Sequence, residues 1–108
     1  MYFKIYWADL NPTVGREQSG HRLVLVISNN IENQMDIVSV IPITSRKKGR
    51  VIYPNELKIL LLEKEAILLM HQIRTISKKR LGKNIASIND QQTQKKVLDI
   101  LCMRFDTF

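Results

Sequence analysis

Leu23-Val24-Leu25-Val26-Ile27 is an unbroken aliphatic run, closed by the turn-forming Ser28-Asn29-Asn30. Five residues are too few for a buried helix and match the length and composition of a β-strand. Successive strand side chains leave opposite faces, so a run with no polar position predicts a strand covered on both. A second strand follows over Asp36–Ile43, where Ile37, Val38, Val40, Ile41 and Ile43 are apolar. Its Pro42 lacks an N–H for the ladder and predicts a position near an edge or bulge. Upstream, Ile5–Leu10 is a short aromatic-rich strand stopped by Asn11-Pro12. Thr13–His21, with Gly15, Ser19 and Gly20, reads as an exposed loop. Ser45–Arg50 is a basic loop with Gly49 as its turn.

Downstream the pattern is mixed. Leu57–Leu62 and Ala66–Ile76 are rich in Leu, Glu and Lys, which favour helix. Ile67, Leu69, His71, Ile73 and Thr75 nevertheless fall on one side of a period-2 pattern, which predicts a strand over Ile67–Ile76. Ser77–Gly82 has room for one helical turn. The final segment is a helix capped by Asn89 or Asp90. Its expected buried face is Val97, Leu98, Leu101, Cys102 and Phe105, with Cys102 a small buried hydrophobe. The fold class expected is mainly β: a small barrel with a C-terminal α-helix.

The 108 residues, 44% hydrophobic, are the size of one domain, residues 1–108. No apolar run approaches the roughly 18 residues of a membrane span; Ile59–Leu62 and Ala66–Met70 are parted by Glu63, Lys64 and Glu65. The start, Met1-Tyr2-Phe3-Lys4 with Trp7, Asp9 and Pro12 soon after, fits no signal peptide. One cysteine, Cys102, forms no internal disulfide, and no Cys/His spacing resembles a zinc site, so a cytoplasmic setting and no metal are expected.

The net charge of +7 is unevenly placed. Between Ile37 and Asn55 lie Arg46, Lys47, Lys48 and Arg50, with no acidic residue. Between Ala66 and Asn89 lie Arg74, Lys78, Lys79, Arg80 and Lys83, again with none. If these stretches meet in space they form a surface suited to a phosphate backbone or to an acidic protein; otherwise they are solvated loops.

No paired-carboxylate, phosphate-binding glycine or zinc-protease motif is present. His21 and His71 are fifty residues apart, and a lone histidine on a β pattern is more often structural than catalytic. What remains are polar residues at strand ends. Arg22 immediately precedes the run Leu23–Ile27, and Thr44-Ser45 immediately follows Val38–Ile43. An arginine fixed there presents a planar fork of donors to a phosphate, and a hydroxyl can donate to a phosphate oxygen. Such donors suit chemistry in which charge builds on phosphorus. Spacing alone favours a plainer reading, in which Arg22 pairs with Glu17 and Thr44-Ser45 simply ends a strand.

The same residues carry a resemblance that extends over nearly the whole chain. Tyr6-Trp7-Ala8-Asp9-Leu10-Asn11-Pro12, Val14-Gly15-Arg16-Glu17-Gln18-Ser19-Gly20-His21-Arg22 with the strand after it, Ile41-Pro42-Ile43-Thr44-Ser45, and Leu68-Leu69-Met70-His71-Gln72-Ile73-Arg74-Thr75-Ile76 with Lys79-Arg80-Leu81-Gly82 stand in the order of the MazF/PemK family of toxin endoribonucleases. The resemblance implies an SH3-like, strongly twisted antiparallel barrel with a C-terminal helix, the CcdB/PemK/MazF-like fold, as a homodimer. It implies metal-independent cleavage of single-stranded RNA at short sequences, leaving 2′,3′-cyclic phosphate and 5′-hydroxyl ends, with no cofactor. Carried over by position, Arg22 and Thr44 are the catalytic residues and Ser45 a helper. Glu17, Gln18, His71 and Gln72 would contact RNA bases and backbone, with Arg74 beside them or tied instead to the dimer interface. Arg46, Lys47 and Lys48 would contact the RNA backbone. A cognate antitoxin with an acidic, disordered segment would block the groove.

The chain departs from the family pattern at three places. Leu23 follows Arg22 where proline is usual, Phe3-Lys4 replaces a basic-Gly-Asp turn, and His71 occupies a commonly acidic position. Two rival functions fit the same fold: a non-catalytic toxin that binds a protein target such as DNA gyrase, and an RNA-binding domain that has lost catalysis.

Overall fold

The computed structural model describes residues 1–11, 15 and 20–105. Seven strands form one sheet: β1 Lys4–Asp9, β2 His21–Val26, β3 Ile37–Ser45, β4 Glu56–Leu61, β5 Lys64–Leu69, β6 Arg74–Ser77 and β7 Leu81–Ser87. Their order is β4-β5-β3-β2-β1-β7, with β6 also paired to β3. Every pairing is antiparallel. One helix, α1 Gln91–Met103, closes the described chain. The mainly β fold with a C-terminal helix expected from the sequence is therefore the one observed.

The doubly buried strand is the centre of this arrangement. Leu25 of β2 packs with Ile41 and Ile43 of β3 into one core, to which Leu68, Val97 and Leu101 also belong. Val24 and Val26 of β2 leave the other face and pack with Val38, Val40, Ile76 and Leu10. Two small cores thus share the β2–β3 ladder, which is why neither strand tolerates a polar stripe.

Pro42 lies on this central strand, not at the edge of the sheet. Ile27 N–H donates to Ser39 O at 3.0 Å, and hydrogen-bonded rungs alternate along an antiparallel ladder. Pro42, opposite Val24, falls on a non-hydrogen-bonded rung, so its missing donor faces away from β2. On that side β3 changes partner, pairing with β6 through Ile37–Val40 and with β5 through Ile43–Ser45. The proline sits in the gap.

The same partner change breaks the strand expected over Ile67–Ile76. Ile43 pairs with Leu68 and Val40 with Arg74, so between these pairs β3 has two residues and the partner chain five. The surplus is taken up by a 3₁₀ turn at Met70–Gln72 whose Met70 side chain is buried in the first core. A buried residue in a turn keeps the apolar pattern going, which is why periodicity alone read through the break. The expected helical turn after Ser77 is a 3₁₀ turn, Lys78–Arg80.

Helix α1 begins at Asp90, whose carboxylate accepts from Gln92 N–H at 3.1 Å and from the Thr93 hydroxyl at 2.7 Å. These bonds, the Thr93 one foremost, hold its carboxyl below the usual carboxylate range. Its buried face differs from the expected one. Val97 and Leu101 are buried, each worth roughly 1.5–3 kcal/mol. Leu98, Cys102 and Phe105 are exposed, the last 74% so, and Cys102 is a free surface thiol. The helix is turned by polar tethers invisible to an apolar count: Gln94 Nε2 donates to Ile88 O at 2.7 Å and Arg104 Nη1 to Met70 O at 3.0 Å.

Candidate active site

The chain enters β2 through a pinched base. Leu10 N–H donates to Gly20 O at 3.0 Å, and Gly20 N–H to Asn11 Oδ1 at 3.1 Å. Arg74 Nη1 reaches Leu10 O at 3.3 Å, and Arg80 Nη1 the carbonyls of Asp9 and Asn11. Two arginines of the second basic stretch are therefore spent on three successive carbonyls at the end of β1. The Lys78 ammonium likewise donates to Asn33 O. This anchoring fixes the segment that delivers His21 and Arg22.

Arg22 pairs with Ala8 on one side, and Leu23 with Ile43 on the other. That pair is the last of the β2–β3 ladder, and Arg22 and Thr44 are the residues next beyond it on the two strands. Both residues line one cleft of about 370 Å³ at the end of the sheet, together with Trp7, His21 and Ser45. Its far wall is the β4–β5 hairpin, through Leu61, Leu62, Lys64 and Glu65. Arg22 and Ser45 are exposed and Thr44 is half-buried.

The basic loop between β3 and β4 is less basic than its sequence. Arg46 donates to Glu65 Oε2 at 3.0 Å and twice to Arg50 O. Arg50 holds both carboxylate oxygens of the buried Glu56, at 2.9 and 2.8 Å. That fork is the main reason the Glu56 carboxyl lies below the ordinary carboxylate range, with Tyr53 N–H assisting against the upward pull of burial. Lys47 and Lys48 are left as the exposed cations of the loop. The expectation of four uncompensated charges is thus corrected to two, because Glu56 and Glu65 lie beyond the sequence window but inside contact range. Gly49, at φ 79°, makes the tight turn closed by Arg50 N–H on Lys47 O.

The remaining predicted residues are placed elsewhere. Glu17 and Gln18 lie outside the described residues. His71 and Gln72 are on the 3₁₀ turn, not a strand. His71 lines a separate cleft of about 210 Å³ with Pro54, Met70, Ile100 and Met103. Within one chain, then, neither His71, Gln72 nor Arg74 lines the Arg22–Thr44 cleft. No group of His, Cys, Asp and Glu among the described residues could hold a metal ion. Among them, no helix is long and apolar enough to cross a membrane.

Compared with known proteins, residues 2–103 match the family described as the PemK-like, MazF-like toxin of type II toxin–antitoxin systems. The chain belongs to that family. It is 35% identical over 95 residues to the endoribonuclease EndoA of Bacillus subtilis (strain 168), covering 84% of this chain and 82% of the relative. The crystal structure of MazF from Deinococcus radiodurans superposes with a TM-score of 0.79 at 24% identity, over 95% of this chain and 93% of that one. A mycobacterial endoribonuclease in complex with its cognate antitoxin superposes with a TM-score of 0.78 at 19% identity, over 100% and 98%.

As a PemK-like, MazF-like chain it carries Leu23 directly after Arg22. Leu23 stands on a hydrogen-bonded rung, so the N–H that a proline lacks faces Ile43 and joins the ladder. Trp7, Leu61 and Leu62 are cleft residues that the sequence alone does not assign. An aromatic at Trp7 gave some signal. The two leucines gave none, since only the hairpin fold brings them over β2.

Proposed function

We propose that this chain is a ribonuclease toxin that cuts single-stranded RNA without a metal ion. The observation that carries the reading is Arg22 and Thr44 lining one cleft at the end of the β2–β3 ladder, in a chain 35% identical to an endoribonuclease. The 2′-oxygen of the substrate attacks the adjacent phosphorus, losing its proton. The bond from phosphorus to the 5′-oxygen breaks and that oxygen gains a proton, leaving a 2′,3′-cyclic phosphate and a 5′-hydroxyl. Arg22 presents its fork to the non-bridging oxygens as charge accumulates. The Thr44 hydroxyl donates to the same phosphate, and Ser45 assists. Glu17, Gln18, His71, Gln72 and Arg74 remain proposed RNA contacts; those that lie off the cleft would meet nucleotides on either side of the cut, or the strand as it crosses to a second protomer. The working form is a homodimer in the cytoplasm, held by an antitoxin whose acidic segment covers the basic surface.

Incubation with a long mixed-sequence RNA in excess EDTA tests the reading. Cleavage at a few sites with cyclic-phosphate ends is expected. RNA bound but left intact would instead support the non-catalytic alternatives.

The loop charges give a second test. Replacing Lys47 and Lys48 by glutamine is expected to weaken RNA binding and to reduce the slope of log affinity against log salt by about 0.7 per lost phosphate contact. Arg46→Gln is expected to leave that slope unchanged, because its guanidinium is already held by Glu65 and Arg50 O. Equal slopes for wild type and the double-lysine variant would place the loop away from RNA.

A further inference from the structure

The chemistry proposed above uses Arg22 and Thr44 and leaves the aromatic side of their cleft unassigned. Trp7, the single tryptophan of the chain, is 38% exposed on β1. Its indole is stacked on the imidazole of His21, with ring centroids 5.4 Å apart and planes 29° from parallel. The register explains the pairing: Trp7 stands opposite Leu23 and His21 opposite Asp9, so the two rings are diagonal neighbours on one face of the ladder.

Two further features bear on this spot. From Tyr6 to Ala8, β1 advances two residues while β7 runs three, from Asn84 to Leu81, which places a bulge beside Trp7. Bulges re-aim side chains next to functional sites. Across the cleft the β4–β5 hairpin turns on Leu62 and Glu63, at φ 50° and 68°. Such a two-residue turn ordinarily takes glycine or asparagine. A 66% exposed leucine held in left-handed backbone at a cleft wall is a cost that the local sequence does not explain.

We propose that Trp7 and His21 form a stacking platform for one unpaired nucleobase beside the scissile linkage, with Leu62 closing the far side. The inference rests on the reading that RNA passes Arg22 and Thr44. Because Trp7 and His21 line the same cleft as Arg22 and Thr44, a base held on the ring pair belongs to a nucleotide at or next to the reacting phosphate. A flat ring pair suits a flat ring; the aliphatic and acidic side chains of a peptide gain less from it. Every base has a π-face, so the platform positions the strand and leaves sequence choice to other contacts.

Trp7 being the only tryptophan, its fluorescence reports this site alone. The intact protein is titrated with single-stranded RNA made uncleavable by 2′-O-methyl groups, while cleavage of unmodified RNA is scored separately. Saturable quenching is expected, lost when one base of the oligonucleotide is replaced by an abasic position. Trp7→Ala is expected to weaken binding about 5- to 100-fold, with Trp7→Phe restoring most of it. Wild-type protein that binds RNA without quenching, or quenching by an acidic peptide and not by RNA, overturns the platform whether or not RNA is cut. Quenching with abasic sensitivity but no cleavage keeps the platform and overturns the nuclease reading. The quenching measurement needs no variant, so a misfolded Trp7→Ala does not rescue the idea.

Discussion

Arg22→Ala is expected to lower the rate of RNA cleavage by about 10²- to 10³-fold, the usual cost of removing one fixed donor from a site where charge develops. The loss should fall on kcat more than on KM, since the guanidinium meets its full charge partner only when phosphorus is five-coordinate. Stability should change by no more than about 0.5 kcal/mol, because Arg22 is exposed at the start of β2 and belongs to neither core. Arg22→Lys should recover little: it restores a point charge without the planar fork. Thr44→Val, which replaces the hydroxyl with a methyl group of similar size, should cost about tenfold. Single-turnover assays on a short RNA, paired with thermal melts, decide the matter. A folded Arg22→Ala protein cutting at the wild-type rate would remove Arg22 from the chemistry.

Glu56→Gln should lower stability by about 2–3 kcal/mol near neutral pH. Glu56 is 3% exposed at its side chain and Arg50 31%, and removing one partner of a buried pair leaves the other uncompensated. The upper end of the usual range is not expected, because Arg50 still reaches water. Glu56 also accepts from Tyr53 N–H at 3.1 Å, so the loop between β3 and β4 loosens with it. Its folded pKa lies below the unfolded value of about 4.3. The pair therefore stabilises the protein above that pH, and its contribution is lost as pH falls through the folded pKa. Urea titrations at about pH 7 and about pH 3 should show the gap between wild type and Glu56→Gln narrowing in acid. A gap of constant size would mean that the carboxylate's charge plays no part.

This pair also shows where reading the chain in one dimension stops. Arg50 reads as unopposed because Glu56 lies one residue beyond the acid-free stretch that ends at Asn55, and Arg46 because Glu65 is on the next hairpin. Charge counted along a window cannot see partners supplied by folding. The helix face failed for a related reason. Val97 and Leu101 are buried while Leu98 stays exposed, in a helix held by Gln94 and Arg104 reaching the carbonyls of Ile88 and Met70.

What the sequence by itself determined are the features governed by near neighbours: the doubly buried β2, a helix cap at Asn89 or Asp90, the turn at Gly49, and the order of segments that marks the family. These follow from side-chain alternation, backbone donors a few bonds away and residue shape, all acting over a few residues. Tertiary structure alone decided that Arg22 and Thr44 line one cleft, that the chain breaks between β5 and β6, that Arg46 and Arg50 are neutralised, and that a tryptophan and a leucine hairpin frame the cleft. Each of these depends on the register between strands far apart in the chain, which is fixed by the joint packing of two cores and by no single segment.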